Sequence, residues 1–386
     1  MSTYNLNAFL KPASVALVGA SRRPGSFGAV AADNLRAFSG RVFRVNPHLK
    51  LDAGAGVYPH VSCLSEAPEL AIAAVPAAAV PGVVADLGKL GTRAAVVLSA
   101  GFGETPAGST GKALQARMLA AAHTTGMRIV GPNCIGVLAP HADLNVGFAQ
   151  ALPSPGGLAF LSQSGAVLTT LIDWAVARDI GFSSLVSLVS LVSLGEMAEV
   201  DVADWLDYLA TDPQTQAILL YLESVTDARK FMSTARHAAR LKPVIVLKSG
   251  RTPAAAKSAA SHSGALAGDD AVFDAVCRRA GLQRVPTLLQ MLDAAETLAH
   301  VQPLHGDALA VLTNGGGMGV LAADQLLTTG GRLAALSDAT RSALDAVCRR
   351  PSHTAIRSTS SAMPAQTAIV RHWQCCSVPR RWMPSR

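Results

Sequence analysis

The residue best suited to covalent chemistry in this chain is His262, which lies between Ser261 and Ser263 in a stretch rich in Ser, Ala and Gly. This stretch, residues 249–268, shows neither helical nor strand periodicity, and a segment of that length in a compact domain is usually functional or disordered. Imidazole can accept a phosphoryl group at neutral pH and release it again. We therefore predict that His262 is transiently phosphorylated, with an ordinary exposed histidine as the alternative.

A nucleophilic histidine needs a partner that orients its second ring nitrogen. Glu223 directly follows the apolar stretch 217–222, so its carboxylate is expected at the end of a strand in the same part of the chain. That position suits an orienting role for Glu223. The alternative is a surface carboxylate without a function.

A reacting phosphate also needs backbone N–H groups to bind it, and helix N-termini supply them. The sequence LSQSG joins a predicted strand to a predicted helix and offers Ser162, Ser164 and Gly165, although an ordinary N-cap explains Ser164 equally well. Gly264, two residues after His262, is a further phosphate-binding candidate. Gly316, in a later glycine run, is another, and a simple glycine turn explains it nearly as well.

A second glycine-rich turn, GASRRPGSFG, follows an apolar strand near the N-terminus and precedes a helix. Such a turn brings backbone N–H groups close to a phosphate, though a tight strand–helix turn alone would need the same glycines. The spacing is not G-x-G-x-x-G, and the second strand ends in Asn-Pro instead of the acidic residue that holds the ribose of NAD. A phosphate-bearing ligand other than NAD is therefore favoured. The candidate binding residues are Gly19, Ser21, Arg22, Gly25, Gly28, Asn46 and Pro47, and further positive charge is available from Arg23, Arg44, His48 and Lys50.

Three more predicted strands of this region end in turn-forming sequences. Open parallel sheets bind ligands at the carboxyl ends of their strands, so these turns are expected to line the same crevice as the N-terminal glycine turn. The candidates are Val75, Pro76, Ser99, Gly101, Glu104 and Asn133.

All of these sites require parallel sheets, and the chain alternates short apolar strands with helical patterns, as parallel sheets do. The predicted fold class is α/β. A Rossmann-like domain is expected over residues 1–145 and a second doubly wound domain over 150–300. Residues 303–347 predict the start of a third α/β domain that is too short to close a sheet.

Residues 348–386 differ in composition from the rest of the chain. They hold seven Arg, no Lys, Asp or Glu, three of the six Cys and two of the four Trp, without periodicity. We interpret this tail as an aberrant, out-of-frame and disordered ending, with a basic binding tail or a disordered extension as alternatives. In addition, the triplet Leu-Val-Ser occurs three times within 183–195, which is equally compatible with an in-frame expansion and with an ordinary long strand.

The overall composition argues against several functional classes. The net charge of +7 comes from the tail, because without its seven Arg the 33 basic residues become 26, equal to the acidic ones. No nucleic-acid-binding face is therefore indicated. No apolar stretch is long enough for a transmembrane helix and no secretory signal is visible, so a cytoplasmic protein is expected. Cys63, Cys134 and Cys277 are isolated in the sequence, which predicts no metal site or disulfide framework.

Taken together, the motifs resemble the NDP-forming acyl-CoA synthetases of the ADP-forming acetyl-CoA synthetase type and, more distantly, the α subunit of succinyl-CoA synthetase. The resemblance implies a CoA-binding Rossmann-like domain followed by flavodoxin-like ligase domains. It also implies that His262 is the phosphorylated residue, that Glu223 steadies it, and that residues 162–165 face the phosphate. The matching pieces occur in the family's order between residues 1 and 347: GASRRPGSFG, VNP, the Val75-Pro76 strand end, LSAGFGE, GPNCIG, LSQSGAV, DPQTQAILLYLES and VIVLKSGRTPAAAKSAASHSGALAGDD.

In that family, acyl-CoA and phosphate give an acyl phosphate, which phosphorylates the histidine, and ADP on an ATP-grasp domain then accepts the group. The resemblance assigns coenzyme A or acyl-CoA to the N-terminal glycine turn and its neighbouring strand ends. No ATP-grasp sequence is recognisable, so ADP, ATP and Mg²⁺ are expected only through an ATP-grasp (β-type) subunit, within an oligomer. Two alternatives stay open: a non-catalytic acyl-CoA-binding regulatory module, like the ligase-like half of some protein acetyltransferases, and an inactive truncated product. The acyl group and the choice between ADP and GDP stay open as well.

Overall fold

The computed structural model describes residues 3–48, 52, 54–102, 108–188, 200–257, 268–301, 306–311, 313, 316–340 and 342. The chain divides into two compact units, residues 1–301 and 302–386. Several sequence predictions fall outside the described residues: Lys50, Glu104, His262, Gly264, most of the Leu-Val-Ser repeat and the whole tail.

The N-terminal part of the first unit is built on a parallel sheet of six strands, in the order β3-β2-β1-β4-β5-β6. Strands β1, β4 and β5 are buried along their whole length, because helices cover both faces of the sheet. This strand order is that of Rossmann folds. The strands are β1 Ser14–Val18, β2 Arg41–Val45, β3 Val57–Tyr58, β4 Leu70–Ala73, β5 Ala94–Val97 and β6 Arg128–Val130; the helices are α1 Asn7–Leu10, α2 Phe27–Asn34, α3 Val80–Leu90 and α4 Gly108–Thr125.

A second sheet, of seven strands, occupies the rest of the first unit, in the order β13-β12-β11-β9-β10-β7-β8. Its strands from β13 to β10 are parallel and have the flavodoxin-like order, while β7 and β8 are antiparallel. The strands are β7 Gly136–Ala139, β8 Leu144–Gly147, β9 Pro155–Ser162, β10 Phe182–Ser187, β11 Ala217–Leu222, β12 Val244–Lys248 and β13 Gln283–Arg284; the helices are α5 Gly165–Arg178, α6 Val202–Thr211, α7 Ala228–Leu241, α8 Asp270–Ala280 and α9 Leu288–His300.

The antiparallel pair β7–β8 was not anticipated from the sequence. Both strands lie between residues 136 and 147, within or at the edge of the region predicted as the first domain, yet β7 pairs with β10 of the second sheet. Each strand is only four residues long, so neither shows a periodicity that a sequence pattern could detect. The transition between the two sheets therefore lies near residue 136, before the predicted boundary at 145–150.

A buried ionic cluster connects the two sheets. The Arg128 guanidinium, at the start of β6, lies 3.3 Å from a carboxylate oxygen of Asp204 in α6, and the two side chains are 7% and 3% exposed. Lys230 of α7 lies 2.9 Å from Asp204 and 3.0 Å from Asp201. Burial would lower the pKa of Lys230, but its hydrogen bonds to Asp204 and Asp201 outweigh that effect and raise it. The cluster fixes the end of the first sheet against two helices of the second.

The described residues of the second unit include a small parallel pair of strands and the helix between them in sequence. Strand β14, Ala308–Leu309, pairs with β15, Arg332–Leu333, and helix α10, Gly316–Thr328, lies between them in sequence. Asp307 and Arg332 form an exposed ion pair beside the strands. Across the described parts of both units, no helix is long and apolar enough to cross a membrane.

Candidate functional site

The first crevice is the gap at the carboxyl ends of β1 and β4, where the chain turns to opposite sides of the first sheet. Gly19 follows β1 with φ +97°, and a Cβ there would lie 2.3 Å from the Ala74 carbonyl oxygen. A Cβ on Gly28 would lie 2.0 Å from the Gly19 carbonyl oxygen. Only glycine therefore allows the turn after β1 to approach both the next strand and its own helix this closely.

Polar side chains hold this turn in place. Asn46, at the end of β2, donates from Nδ2 to the Ala20 carbonyl at 2.7 Å, and its Oδ1 accepts the His48 N–H. Ser21 accepts the Arg23 N–H at 3.0 Å. Asn46 stands where NAD enzymes have their ribose-binding acid, and here its side chain holds the glycine turn by a hydrogen bond.

The other predicted strand ends meet at the same edge of the sheet. The Ser99 hydroxyl, after β5, donates to the Val75 carbonyl, and the Ser99 carbonyl accepts the Asn133 N–H at 2.9 Å. Gly101, with φ +106°, lies against Ala77, the residue after Pro76. The structure therefore brings Val75, Ser99, Gly101 and Asn133 together at one edge of the first sheet.

Cys134, next to Asn133, does not contribute reactive chemistry to the crevice. It is 1% exposed, and its thiol donates to the Val97 carbonyl at 3.3 Å. Burial raises the pKa of Cys134 to about 12, so the thiol stays protonated at neutral pH.

The first crevice has the features that a phosphate-bearing ligand requires. Ser26 caps α2 by accepting the Ala29 N–H at 3.3 Å, so the helix begins directly at the glycine turn. Arg22 and Arg23 are exposed beside it. An exposed helix N-terminus with adjacent guanidinium groups attracts anions. The residues directly after β2 are Asn46, Pro47 and His48, so no carboxylate stands there to bind a ribose.

The second crevice is the gap at the carboxyl ends of β9 and β11, where the chain again turns to opposite sides of a sheet. The Ser162 hydroxyl is buried, donates to the Ser164 carbonyl at 2.8 Å and accepts the Ser164 N–H at 3.1 Å. Ser164 caps α5 through the Val167 N–H at 3.4 Å. Both serine hydroxyls thus shape the turn, and the N–H groups of Gly165 and Ala166 in the first turn of α5 are the groups available to bind an anion.

Glu223 lies at the other side of this crevice, half-buried directly after β11. Gln163 connects the two sides. Its carboxamide oxygen accepts the Glu223 N–H at 2.6 Å and the Ser224 N–H at 3.1 Å. The sequence analysis did not identify Gln163, although it stands inside LSQSG. The signal that could have revealed it is its position between two predicted site residues, Ser162 and Ser164.

A second residue missed in the sequence is Ile135, which lies against the turn that starts α5. A Cβ on Gly165 would lie 2.8 Å from Ile135 Cδ1, and the Ile135 N–H donates to Ser187 at 3.2 Å. A larger residue at the first position of α5 would therefore have to push this side chain aside.

Charged residues cluster on both sides of the segment that contains His262. Lys248 ends β12 and donates to the Ser249 carbonyl at 2.9 Å, while Arg251 lies 3.7 Å from Asp270 at the start of α8. Arg284 of β13 forms ion pairs with Asp270 and with Asp274. Although its partial burial acts in the opposite direction, Arg284 and the other cations hold the pKa of Asp270 below its ordinary value.

Two domain models match the two sheets of the first unit. A CoA binding domain matches residues 13–140, and a succinyl-CoA ligase like flavodoxin domain matches residues 155–298. The first match covers the described part of the first crevice, and the second contains the second crevice and His262.

Full-length relatives extend both matches across most of the chain. The α subunit of ADP-forming acetate–CoA ligase I from Pyrococcus furiosus is 38% identical over 326 residues, which cover 83% of this chain and 69% of the relative. This chain belongs to the ADP-forming acetate–CoA ligase family. The ADP-forming acetate–CoA ligase I of Archaeoglobus fulgidus is 41% identical over 313 residues, 81% of this chain but only 44% of the relative. This chain thus spans less than half the length of that relative.

A solved structure gives the same picture. The dinucleotide forming acetyl-coenzyme A synthetase 1 of Ca. Korarchaeum cryptofilum, in complex with phosphate and ADP, superposes with a TM-score of 0.81 at 33% identity, covering 90% of this chain and 74% of that one. The family and the α/β fold class predicted from the sequence are therefore confirmed. Of the predicted ligase residues, Gly316 begins α10 in the second unit and has open space around its Cα, while Glu104, His262 and Gly264 lie outside the described residues.

Proposed function

We propose that this chain carries the CoA-binding and phosphohistidine steps of an ADP-forming acyl-CoA ligase. Phosphate attacks the thioester carbonyl of acyl-CoA, giving an acyl phosphate and free CoA. The His262 imidazole then attacks the phosphorus of the acyl phosphate, which releases the carboxylate and leaves phosphohistidine. The reverse sequence forms acyl-CoA.

One observation supports this assignment above the others: the N-terminus of α5 and the Glu223 backbone lie at the same crevice of the second sheet, joined by Gln163. The helix N-terminus would bind the phosphate, and the Glu223 backbone carries the carboxylate that would orient the attacking imidazole. The residues of the first crevice, including the exposed Arg22 and Arg23, would bind the phosphates of CoA.

The phosphohistidine must transfer its group to ADP to complete the cycle. We assign that step, with its Mg²⁺, to an ATP-grasp module outside the two matched domains, as a β-type subunit would supply to an α-type chain. The relative from Pyrococcus furiosus is named as an α subunit, and this supports the assignment. Assembly with such a subunit would make the working enzyme an oligomer.

The test uses the purified chain with radiolabelled inorganic phosphate and acetyl-CoA, since acetate is the substrate named for the relatives above. We expect an acid-labile phosphoryl label on His262, with one CoA released for each label, and no label when acetyl-CoA is omitted. The His262→Ala protein should remain unlabelled.

The matched control is His237→Ala, which removes a histidine that is exposed on α7. It should label like the unmodified chain. Equal labelling of the His262→Ala protein would disprove the proposed function. Acetyl-CoA binding without any label, in the presence of an ATP-grasp subunit of the family, would instead favour a non-catalytic binding module.

A further inference from the structure

The Gln163 carboxamide joins the ends of β9 and β11, the two strands that create the second crevice. Gln163 is 8% exposed and leaves β9 just before α5 begins. Its Oε1 accepts the N–H groups of Glu223 and Ser224, and its Nε2 donates to the Ser224 carbonyl at 3.1 Å. A single side chain therefore fixes a strand end that is 60 residues away in sequence.

The orientation of this amide follows from its partners. Two backbone N–H groups converge on one end of the carboxamide, and only its oxygen can accept both of them. The Ser224 carbonyl faces the other end, which must be the NH₂ group. Glutamine fits this arrangement because glutamate lacks the donor and asparagine is one methylene shorter.

The residues on both sides of Gln163 connect its contact with Glu223 to the N-terminus of α5. Ser162 and Ser164, on either side, shape the turn that starts α5. The Gln163 N–H also donates to the Tyr221 carbonyl at 3.1 Å, which continues the pairing of β9 with β11 up to the turn. The same three-residue turn thus sets both the N-terminus of α5 and the backbone of Glu223.

We propose that Gln163 is a positioning residue of the phosphohistidine reaction, whose carboxamide holds the Glu223 backbone, and with it the Glu223 carboxylate, at a constant place relative to the N-terminus of α5. In this role the Gln163 carboxamide acts through Glu223. The inference rests on the proposed function, in which Glu223 orients His262.

The main variant is Gln163→Ala, which leaves the N–H groups of Glu223 and Ser224 without their acceptor. At saturating acetyl-CoA and phosphate, the rate constant for labelling His262 should fall about 10- to 100-fold, as for other residues that orient a reacting group. The Kd for CoA, measured by titration calorimetry, should not change, because the residues proposed to bind CoA lie on the other sheet. Gln163→Glu keeps the acceptor but loses the donor, so its rate should be intermediate.

The decisive measurement is a double-mutant cycle between Gln163→Ala and Glu223→Gln. If Gln163 acts through the Glu223 carboxylate, its substitution should have little further effect once that carboxylate has been neutralised. A purely structural role would give additive losses in the two backgrounds. The control for loss of a buried amide is Gln115→Ala in α4, where the residue is 4% exposed; its melting temperature should drop while its labelling rate stays unchanged.

The outcomes separate the two claims. If the unmodified chain is not labelled, the proposed function fails. If it is labelled, while Gln163→Ala labels at the same rate or the cycle is additive, only the role of Gln163 is wrong. Should Gln163→Ala not fold, as judged by circular dichroism, the same cycle with Gln163→Glu decides the question.

Discussion

The two crevices have the same topology but are stabilised by different means. Each lies where a parallel sheet sends consecutive connections to opposite sides, and each is followed by a capped helix. In the first crevice the turn depends on glycine at positions 19 and 28, because a glycine has no Cβ and lets two backbone segments approach closely. In the second the turn depends on buried side chains that are present, at Ser162 and Gln163.

This difference suits the two tasks we propose. A crevice that binds the phosphates of CoA needs exposed backbone N–H groups close to the ligand, and glycines provide that access. A crevice in which a phosphoryl group is transferred needs fixed positions for the phosphate, the carboxylate and the imidazole, and a hydrogen-bonded network provides that rigidity.

The largest expected effect comes from breaking the buried ionic cluster that connects the two sheets. Arg128→Met removes the buried ion pair that connects the first sheet to α6 and leaves Asp204 with Lys230 alone. We expect the free energy of unfolding to fall by about 3 kcal/mol or more, since breaking a buried pair leaves an under-compensated charge. Urea unfolding measures this change.

Arg117→Met, on the exposed surface of α4, is the control for that experiment. It should change the free energy of unfolding by no more than about 0.5 kcal/mol. If the two variants are equally stable, the buried cluster does not connect the sheets energetically.

A smaller effect, with opposite signs at two sites, tests the role of glycine in the first crevice. Gly28→Ala places a Cβ against the Gly19 carbonyl and should destabilise the chain by about 1–3 kcal/mol and weaken CoA binding. Gly82→Ala, in α3, meets open space and should stabilise the chain by about 0.5–1 kcal/mol. Thermal unfolding and CoA titration of both proteins would show whether the close approach or glycine content alone matters.

The smallest effect concerns the charges beside the second crevice. The lowered pKa of Asp270 means that its ion pair with Arg284 stabilises the fold above the ordinary value of 3.8, and that this stabilisation is lost as the pH falls through the lower folded-state pKa. Asp270→Asn should therefore cost about 1 kcal/mol near neutral pH and almost nothing in acid. Urea unfolding across that pH range measures it.

The control for that pH dependence is Asp293→Asn, on the exposed side of α9. Its effect on the free energy of unfolding should be small at every pH. A constant cost of Asp270→Asn from neutral pH into acid would contradict the assigned direction of the pKa change.

Much of the fold was predictable because its signals are local. Strands such as β1 and β11 are short apolar runs bounded by turns, and GASRRPGSFG marks a strand–helix turn within ten consecutive residues. The hairpin β7–β8 was not predicted, because its stability depends on pairing with β10, about 50 residues later in the chain.

The sequence by itself determined where strands end in glycine or serine turns and which residue types stand there, since backbone freedom and helix capping depend on neighbours within a few positions. Only the tertiary structure decided which of these turns meet. The strand order brings Gly19 against Ala74, and Gln163 against Glu223, across separations of 55 and 60 residues. Contacts over such distances depend on how whole strands pair in a sheet, and the periodicity of a single strand does not encode its neighbours.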